Sequence, residues 1–300
     1  MTGMEGCKES KKTRALAASG VATFDEHLPE GPISALYFEN TGANNGAAGT
    51  GIDKYELSLD SKNIFQALTG IMLRALLEPL YTREGGKVYA AADLSWELDF
   101  SLFGHILPPT VENGKRRRAT VGLPGDTHKI WNTYLNGSGS AGVGKIGYEL
   151  ADQEPDWIPY LNPVTFSDLQ DGAHNDQEHT FKLNPLLCVG LVMEMGATEV
   201  TRVRWDWADK NRHRLGEVTD LSRSRILAKL KPYSVLDVAD PVFIPFDYAR
   251  VVEHGSVMTL DTGADFLKSM KYLPVMFKAN PRGAVAAAAM AEVKGAKAPA

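Results

Sequence analysis

Two histidines and three acidic residues stand close together in the segment DGAHNDQEHT, residues 171–180. Imidazole nitrogen and carboxylate oxygen are both metal ligands, so the composition is compatible with a metal site. The segment is also polar and lacks the alternation of a strand, which favours the simpler interpretation of a solvated loop. The residues concerned are Asp171, His174, Asp176, Glu178 and His179.

Several aspartates raise the separate question of a calcium site, because hard cations prefer several oxygen ligands. Turn formation is the plainer role for aspartate beside a strand. We therefore expect no cofactor, with a structural calcium ion as the alternative. The aspartates considered are Asp60, Asp206, Asp209, Asp237 and Asp240.

A nucleophile with a correctly spaced base is not found in the sequence. Ser138 and Ser140 lie among glycines without an identifiable histidine or acid partner. The glycine-rich stretch 136–144 is not followed by the Lys-Ser or Lys-Thr of a phosphate-binding loop. The sequence therefore predicts that the protein is not an enzyme.

The sharpest charge cluster is a run of four basic residues that follows Pro108, Pro109 and Gly114. Such a run is typical of an exposed loop, which is either solvated or bound to phosphate, carboxylate or a neighbouring subunit. Two aromatic residues of the same stretch, 105–145, offer large contact area with few rotatable bonds. We predict that this stretch is a long loop that forms an inter-subunit clamp or a surface tower. The interface candidates are Lys115, Arg116, Arg117, Arg118, Trp131 and Tyr134.

Composition narrows the class of protein. The chain has 300 residues and a formal net charge of −5, which argues against a globally basic nucleic-acid-binding protein. The 28 glycines and 16 prolines together indicate many turns and an all-β chain.

The cysteines and the apolar segments bear on the compartment. Cys7 and Cys188 lie far apart without a CxxC motif, which favours a reducing compartment. Residues 1–20 lack the apolar centre of a signal peptide, and the apolar run 64–80 is too short and charged to span a bilayer.

The elements that must position these residues are mostly strands. Apolar and polar residues alternate over 55–59, 96–100 and 203–207, as in half-buried strands. Continuous apolar runs at 33–38 and 186–193 predict strands that are covered on both faces.

Two segments have helical spacing instead. The first is predicted near 64–77 and stopped by Pro79. The second runs over 221–230, capped by Asp220 or Ser222, and ends before Pro232.

These pieces occur twice in the same order: an apolar strand, a loop, an alternating strand and a helix. Each copy has about 120–150 residues, the size of an eight-stranded antiparallel sandwich. We expect two such sandwiches that superpose with residue 55 on 203 and residue 59 on 207. At a constant offset of 148, Ile52, Tyr55, Leu57 and Leu59 match Val200, Val203, Trp205 and Trp207.

The matched positions also bear on Trp205 and Trp207, which share one face of a strand. Such a pair suits a sugar-stacking platform or a sandwich core. Because leucines occupy the equivalent positions of the first copy, we predict that both tryptophans are core residues.

The repeated unit resembles the double jelly-roll major capsid proteins of lipid-containing icosahedral viruses, most nearly the corticovirus type. The likeness lies in LPEGPISALYFENTGA…IDKYELSLDSKNIFQAL, in LCVGLVMEMGATEVTRVRWDWADKNRHRL and in the closing VFIPFDYARVVEHGSVMTLDTGADF…LPVMFKAN. It covers roughly 28–104 and 183–280, whereas 105–182 matches poorly.

The resemblance implies an all-β chain of two tandem antiparallel jelly-roll sandwiches with short helices between strands. It further implies a virion subunit that forms homotrimers of pseudo-hexameric outline. These trimers would tile a shell over an internal membrane, in contact with neighbouring capsomers and minor virion proteins. Assembly would take place in the host cytoplasm, and no sequence-specific binding of nucleic acid is expected. The alternative is a carbohydrate-binding or glycan-active β-sandwich protein with Trp96, Trp131, Trp205 and Trp207 along a groove.

The expected domains are a basic tail at 1–19, a jelly roll at 20–155, a linker at 156–180, a second jelly roll at 181–280 and an Ala-rich basic tail at 281–300. Both tails lack large apolar side chains, so we expect them to add little stability and to face anionic lipid or nucleic acid. Their basic residues are Lys8, Lys11, Lys12, Arg14, Arg282, Lys294 and Lys297.

Overall fold

The chain forms two compact units. One comprises Met1–Gly70, Tyr89–Leu161 and Phe277–Ala300, and the other Ile71–Val88 and Asn162–Met276. The computed structural model describes residues 7–16, 20–27, 31–41, 52–59, 62–83, 95–112, 115–125, 129–136, 142–183, 186–196, 198–209, 211, 213–230 and 241–283.

The described strands of the first unit form two four-stranded sheets, of order β1-β10-β3-β6 and β2-β9-β4-β5. Strand β11 is attached to the sheet that contains β5, through a parallel bridge to that strand. A short hairpin, β7–β8, stands apart from them. The bounds are β1 Cys7–Leu16, β2 Gly20–His27, β3 Ile33–Thr41, β4 Ile52–Leu59, β5 Lys62–Leu68, β6 Ser95–Asp99, β7 Thr110–Glu112, β8 Lys115–Arg117, β9 Lys129–Asn136, β10 Gly142–Leu150 and β11 Trp157–Leu161.

The second unit repeats this order with its own described strands. One group runs β12-β19-β14-β17 and the other β13-β18-β15-β16. The bounds are β12 Val164–Thr165, β13 Gln177–Thr180, β14 Leu187–Met193, β15 Val200–Ala208, β16 Arg214–Ser222, β17 Val242–Val251, β18 Val257–Thr262 and β19 Lys271–Ala279.

When the eight sheet strands of each unit are counted along the chain, both units read 1-8-3-6 and 2-7-4-5. This is the order of a jelly roll, in which each strand of the first half pairs across to the second half. The predicted all-β fold of two tandem jelly rolls is therefore confirmed. The two strands matched at offset 148, β4 and β15, occupy the same place in the two units.

Burial follows the predicted strand patterns. In β15 the residues Val203, Trp205 and Trp207 are buried, while the intervening Arg204 and Asp206 are partly exposed. Strand β14 is buried at every position after its first, as expected for an apolar strand covered on both faces.

The first predicted helix is displaced toward the C-terminus by six residues and does not stop at Pro79. Ile64 and Leu68 lie in β5, which pairs with β4, and the helix α1 runs over Gly70–Arg83 with Pro79 inside it. The prediction was wrong because Ile64, Phe65 and Leu68 are buried in a strand, and pairing with β4 overrides their helical spacing. The helix, expected in the first domain, falls in the second unit from Ile71 onward.

The second predicted helix is confirmed. It is α2, Arg223–Leu230, and the hydroxyl of Ser222 accepts a hydrogen bond from the backbone N–H of Arg225 at 3.4 Å. Asp220, the other predicted cap, instead pairs with Arg202 across β15 and β16.

Two segments expected to be irregular are strands. Residues 7–16, assigned to a basic tail, form β1 and pair antiparallel with β10. Residues 156–180, assigned to a linker, contain β11, β12 and β13. The sequence of a short or polar strand carries no clear alternation of apolar and polar residues. Such a strand is defined by backbone pairing with its neighbour.

Deleting residues 1–16 should therefore destabilise the first unit. We expect the free energy of unfolding to fall by roughly 3 kcal/mol, because β1 loses its ladder and the edge of β10 becomes exposed. Urea unfolding followed by circular dichroism measures this. Deletion of 284–300 is the matched control and should change the value by less than about 1 kcal/mol. Equal effects of the two deletions would contradict the assignment.

Candidate functional site

The basic run predicted as an interface lies on and beside the β7–β8 hairpin. In this hairpin Thr110 pairs with Arg117, and Val111 pairs with Arg116. Because successive side chains of a strand point to opposite faces, these two cross-strand pairs face in opposite directions. The Thr110 and Arg117 pair faces Asp156, and the Val111 and Arg116 pair faces outward.

Asp156 is the anchor of the hairpin, and its side chain is completely buried. Arg117 donates two parallel hydrogen bonds to it, from Nη1 to Oδ2 and from Nη2 to Oδ1, each 2.8 Å long. The hydroxyl of Thr110 donates to Oδ2 at 3.1 Å, and the backbone N–H of Thr120 donates to the same oxygen at 3.0 Å. A planar guanidinium on a planar carboxylate fixes direction as well as distance.

These contacts set the charge state of Asp156. Burial alone would raise the pKa of this carboxyl, because it disfavours the charged form. The hydrogen bonds from Arg117 and from the Thr120 backbone, together with the guanidinium charge, outweigh burial and lower the pKa below its ordinary value. The carboxylate is thus ionised at neutral pH and holds the hairpin through an ion pair.

The four residues of the basic run consequently divide into two pairs. Arg117 is bound to Asp156, and Arg118 donates to the carbonyl oxygen of Ser101 at 2.7 Å. The interface role of these two residues stays a prediction. Arg117 also has a role within its own unit, because the buried carboxylate of Asp156 requires a cation. Lys115 and Arg116 are exposed, and neither side chain has a hydrogen bond or ion pair to another described residue.

The same anchor holds the point at which the described chain ends. The backbone N–H of Asn280 donates to the carbonyl of Asp156 at 2.9 Å, and its side-chain amide donates to Glu154 at 3.0 Å. Arg282 is exposed and lies 3.8 Å from the Glu154 carboxylate. Gly283 packs so closely that an added Cβ would lie 2.6 Å from the Pro155 carbonyl oxygen.

An open cavity of about 700 Å³ lies at the ends of β3, β6 and β10. Two of its charged groups serve local structure. Asp99 caps the 3₁₀ helix Phe100–His105 by accepting from the Ser101 N–H at 2.8 Å. Glu149 accepts from the Tyr37 hydroxyl at 3.0 Å.

The histidine segment of the second unit is tied to its neighbours. The backbone N–H of His174 donates to the hydroxyl of Thr262 at 3.1 Å, and the backbone N–H of Lys268 donates to Asp171 at 2.7 Å. Asp176 pairs with Arg204 of β15. Across the described residues, no group of three histidine, cysteine or acidic side chains is placed to hold a metal ion.

His179 is a buried core residue. Its Nδ1 is hydrogen-bonded to Asp168, and its Nε2 lies 3.0 Å from the Tyr272 hydroxyl. Phe166 and Phe181 pack edge-on against the imidazole. Burial raises the pKa of the Tyr272 hydroxyl. Burial would also raise the pKa of the Asp168 carboxyl, but the hydrogen bond from His179 outweighs it, so that this pKa is lowered. The enclosure leaves no room for a substrate at the ring.

Asp209 is a turn residue. Its Oδ1 accepts from the backbone N–H groups of Asn211 and His213, at 2.8 and 2.9 Å. This matches the predicted role of aspartate in turn formation. Asp206 lies on β15, while Asp60, Asp237 and Asp240 lie outside the described residues.

Trp205 and Trp207 are core residues, as predicted, with 2% and 3% of their surface exposed. Phe246 packs against both rings, and Phe181 stacks on Trp207 at 6.0 Å between ring centroids. Arg250 covers the Trp207 ring at 4.4 Å. These two tryptophans are unavailable to a sugar ligand.

The other predicted site residues lie in or near strands. Trp131 and Tyr134 are in β9, between β2 and β4, so the expectation of a single long loop over 105–145 is wrong. Residues 129–136 are a strand because β2 and β4 pair with them on either side. The type of the aromatic residues gives no information about this pairing. Their side chains lie outside the described part. Lys8, Lys11, Lys12 and Arg14 lie on β1, and Lys294 and Lys297 lie outside the described residues.

The described helices are too short or too polar to cross a membrane. Sequence comparison matches the chain to no family model and to no curated protein.

Comparison of folds gives full-length matches. The major capsid protein of Sulfolobus Turreted Icosahedral Virus superposes with a TM-score of 0.63 at 12% identity, covering 92% of this chain and 97% of that chain. A second structure of that virus gives 0.63 at 13% identity, covering 96% and 94%. The major capsid protein P2 of bacteriophage PM2 gives 0.63 at 12% identity, covering 91% and 96%. The chain thus has the double jelly-roll fold that is seen in viral major capsid proteins.

Proposed function

We propose that the protein is the major capsid subunit of an icosahedral virus. The observation that carries the proposal is the pair of jelly rolls with one strand order in a single chain. This architecture matches viral major capsid proteins over nine-tenths of both chains. A match over part of the chain would support only one shared jelly roll. A match over the full length supports the same tandem arrangement of two jelly rolls in one chain.

The repeat gives a physical reason for assembly. Three copies with two similar jelly rolls each present six similar units around a threefold axis, which is a pseudo-hexameric outline. Such trimers can tile a curved shell with neighbouring capsomers and minor virion proteins. The function of the protein is then self-assembly through complementary surfaces, and it requires neither a catalytic step nor a cofactor.

The basic terminal segments support a role at the inner face of the shell. Lys8, Lys11, Lys12, Arg14, Arg282, Lys294 and Lys297 supply positive charge, which suits the headgroups of an internal membrane. The protein would then reside in the virion after assembly in the host cytoplasm. The alternative of a glycan-active sandwich loses its main support, because Trp205 and Trp207 are buried.

Purification of the full chain tests the proposal. We expect a species of three times the chain mass of 32.7 kDa by light scattering, and hexagonal outlines by negative-stain microscopy. Antibodies to the chain should label the surface of the source particle. A strictly monomeric protein at high micromolar concentration, with no labelled particles, would overturn the proposal.

A further inference from the structure

The exposed residues of the β7–β8 hairpin combine positive charge with apolar area. Lys115 and Arg116 are exposed, and Val111, which pairs with Arg116, is 55% exposed. The two prolines that precede the hairpin, Pro108 and Pro109, are exposed as well. Val111 and Arg116 lie on the outward face, and Lys115, which pairs with Glu112, lies at the start of β8 on the face of Arg117. We call the exposed residues Val111, Lys115 and Arg116 the basic hairpin surface. Arginine beside an apolar side chain is the composition that protein interfaces favour at their centres.

This surface has a fixed orientation. Arg117 and Thr110 hold the inward face of the hairpin to Asp156, and the following residue, Arg118, is held to Ser101. A group that is already ordered loses less conformational entropy when it binds. The geometry therefore favours a partner of defined shape over a diffuse cloud of counterions.

The second unit carries a surface of opposite charge. Residues 167–178 contain four acidic side chains and no lysine or arginine, and we call them the acidic segment. Asp171, Asp176 and Glu178 are exposed, whereas Asp168 is hydrogen-bonded to the buried His179. Arg204 of β15 pairs with Asp176, which leaves an excess of negative charge along the segment. The four acidic residues are Asp168, Asp171, Asp176 and Glu178.

The acidic segment is also held in place. Its backbone is bound to the second unit through Asp176 N–H to Asp261 at 3.0 Å and His174 N–H to Thr262 at 3.1 Å. The Asp171 carboxylate accepts from the Lys268 N–H at 2.7 Å. Two ordered surfaces of opposite charge thus belong to different units of each copy.

We propose that the basic hairpin surface of one copy binds the acidic segment of the next copy. The inference rests on the proposed function. A ring of identical subunits requires a heterologous contact, in which two different patches meet and each subunit supplies one of each. Charge complementarity between the two patches satisfies this requirement and opposes the wrong pairing of two like patches.

Charge reversal and its compensation test the contact in the full-length protein. In K115E/R116E the hairpin becomes negative, and we expect the dissociation constant of the oligomer to rise about tenfold or more, since like charges then face each other. D171K/E178K should weaken the oligomer similarly. The four-residue combination should restore most of the loss. Neutral variants D171N/E178Q check the same contact with less disturbance of the segment, and should weaken the oligomer to a smaller extent.

A matched reversal on α2, R225E/K229E, changes the charge by the same amount at exposed positions and should leave the oligomer unchanged. Mass photometry over a concentration series measures the constants, and melting temperatures show that each variant is folded. Failure of the combination to recover overturns the contact.

Three further outcomes separate the proposals. An oligomeric wild type that K115E/R116E does not weaken overturns this contact and leaves the capsid proposal standing. Loss of binding to anionic vesicles in that variant, with an unchanged oligomer, assigns the hairpin to phospholipid and also overturns the contact. A monomeric wild type without particles overturns both proposals.

Discussion

Replacement of Asp156 by Asn should lower the free energy of unfolding by about 3 kcal/mol, because removal of one partner of a buried ion pair leaves the other without compensation. Arg117 keeps a quarter of its side chain exposed, which places the expected loss at the lower end of the range for such pairs. Thr110 and the Thr120 N–H lose a charged acceptor in the same change. Urea unfolding followed by circular dichroism measures the difference.

Asp152→Asn is the matched control, because it makes the same chemical change on an exposed side chain of the neighbouring loop. It should alter stability by less than about 0.5 kcal/mol. A cycle with R117A separates the pair from its surroundings, and the two single losses should sum to more than the loss of the double variant. Additive losses would show that Asp156 and Arg117 act independently.

The difference between wild type and D156N should also depend on pH. The pKa of Asp156 is lower in the folded protein than its ordinary value of 3.8, so the folded state binds this proton less readily than the unfolded state. Its stabilisation is therefore complete above that value and is lost as the pH falls through the folded pKa. Unfolding curves of both proteins should converge in acid. A constant difference from pH 7 to strongly acidic pH would contradict the assignment.

Trp207→Ala should lower the free energy of unfolding by about 4 kcal/mol, since truncation of a buried aromatic ring loses contacts and leaves a cavity. Trp207 contacts three other aromatic rings, those of Phe181, Trp205 and Phe246, and supports the Arg250 guanidinium. Chemical unfolding of the full chain gives the value.

Leu267→Ala is the control, because this leucine is 53% exposed and should change stability by less than about 0.5 kcal/mol. The result also separates two roles of tryptophan. A core residue loses stability on truncation, whereas an exposed sugar platform loses ligand binding with little change in stability. An unaffected unfolding curve for W207A would reopen the carbohydrate interpretation.

Strong strand patterns were readable because their cause is local. Alternation in β15 and the continuous apolar run of β14 report directly which faces are buried. The constant offset between β4 and β15 further indicated a repeated unit, since equivalent strands of two similar sandwiches need similar inner faces.

Weak or misleading patterns were decided by pairing. Strand β1 is polar, and β12 and β13 are two and four residues long, so none of them has a usable period. Strand β5 has helical spacing at Ile64 and Leu68 and is still a strand, because β4 lies beside it. Each of these segments takes its structure from residues far away in the chain.

The sequence alone determined the fold class, the repeat, the burial of Trp205 and Trp207, and the exposure of part of the basic run. These follow from side-chain chemistry within short windows, where hydrophobicity and charge act locally. The tertiary structure alone decided that Arg117 is bound to Asp156 while Lys115 and Arg116 are exposed. A run of four like charges contains no information about which member meets a carboxylate 39 residues away, because that choice depends on the pleat of β8 and on where β11 begins.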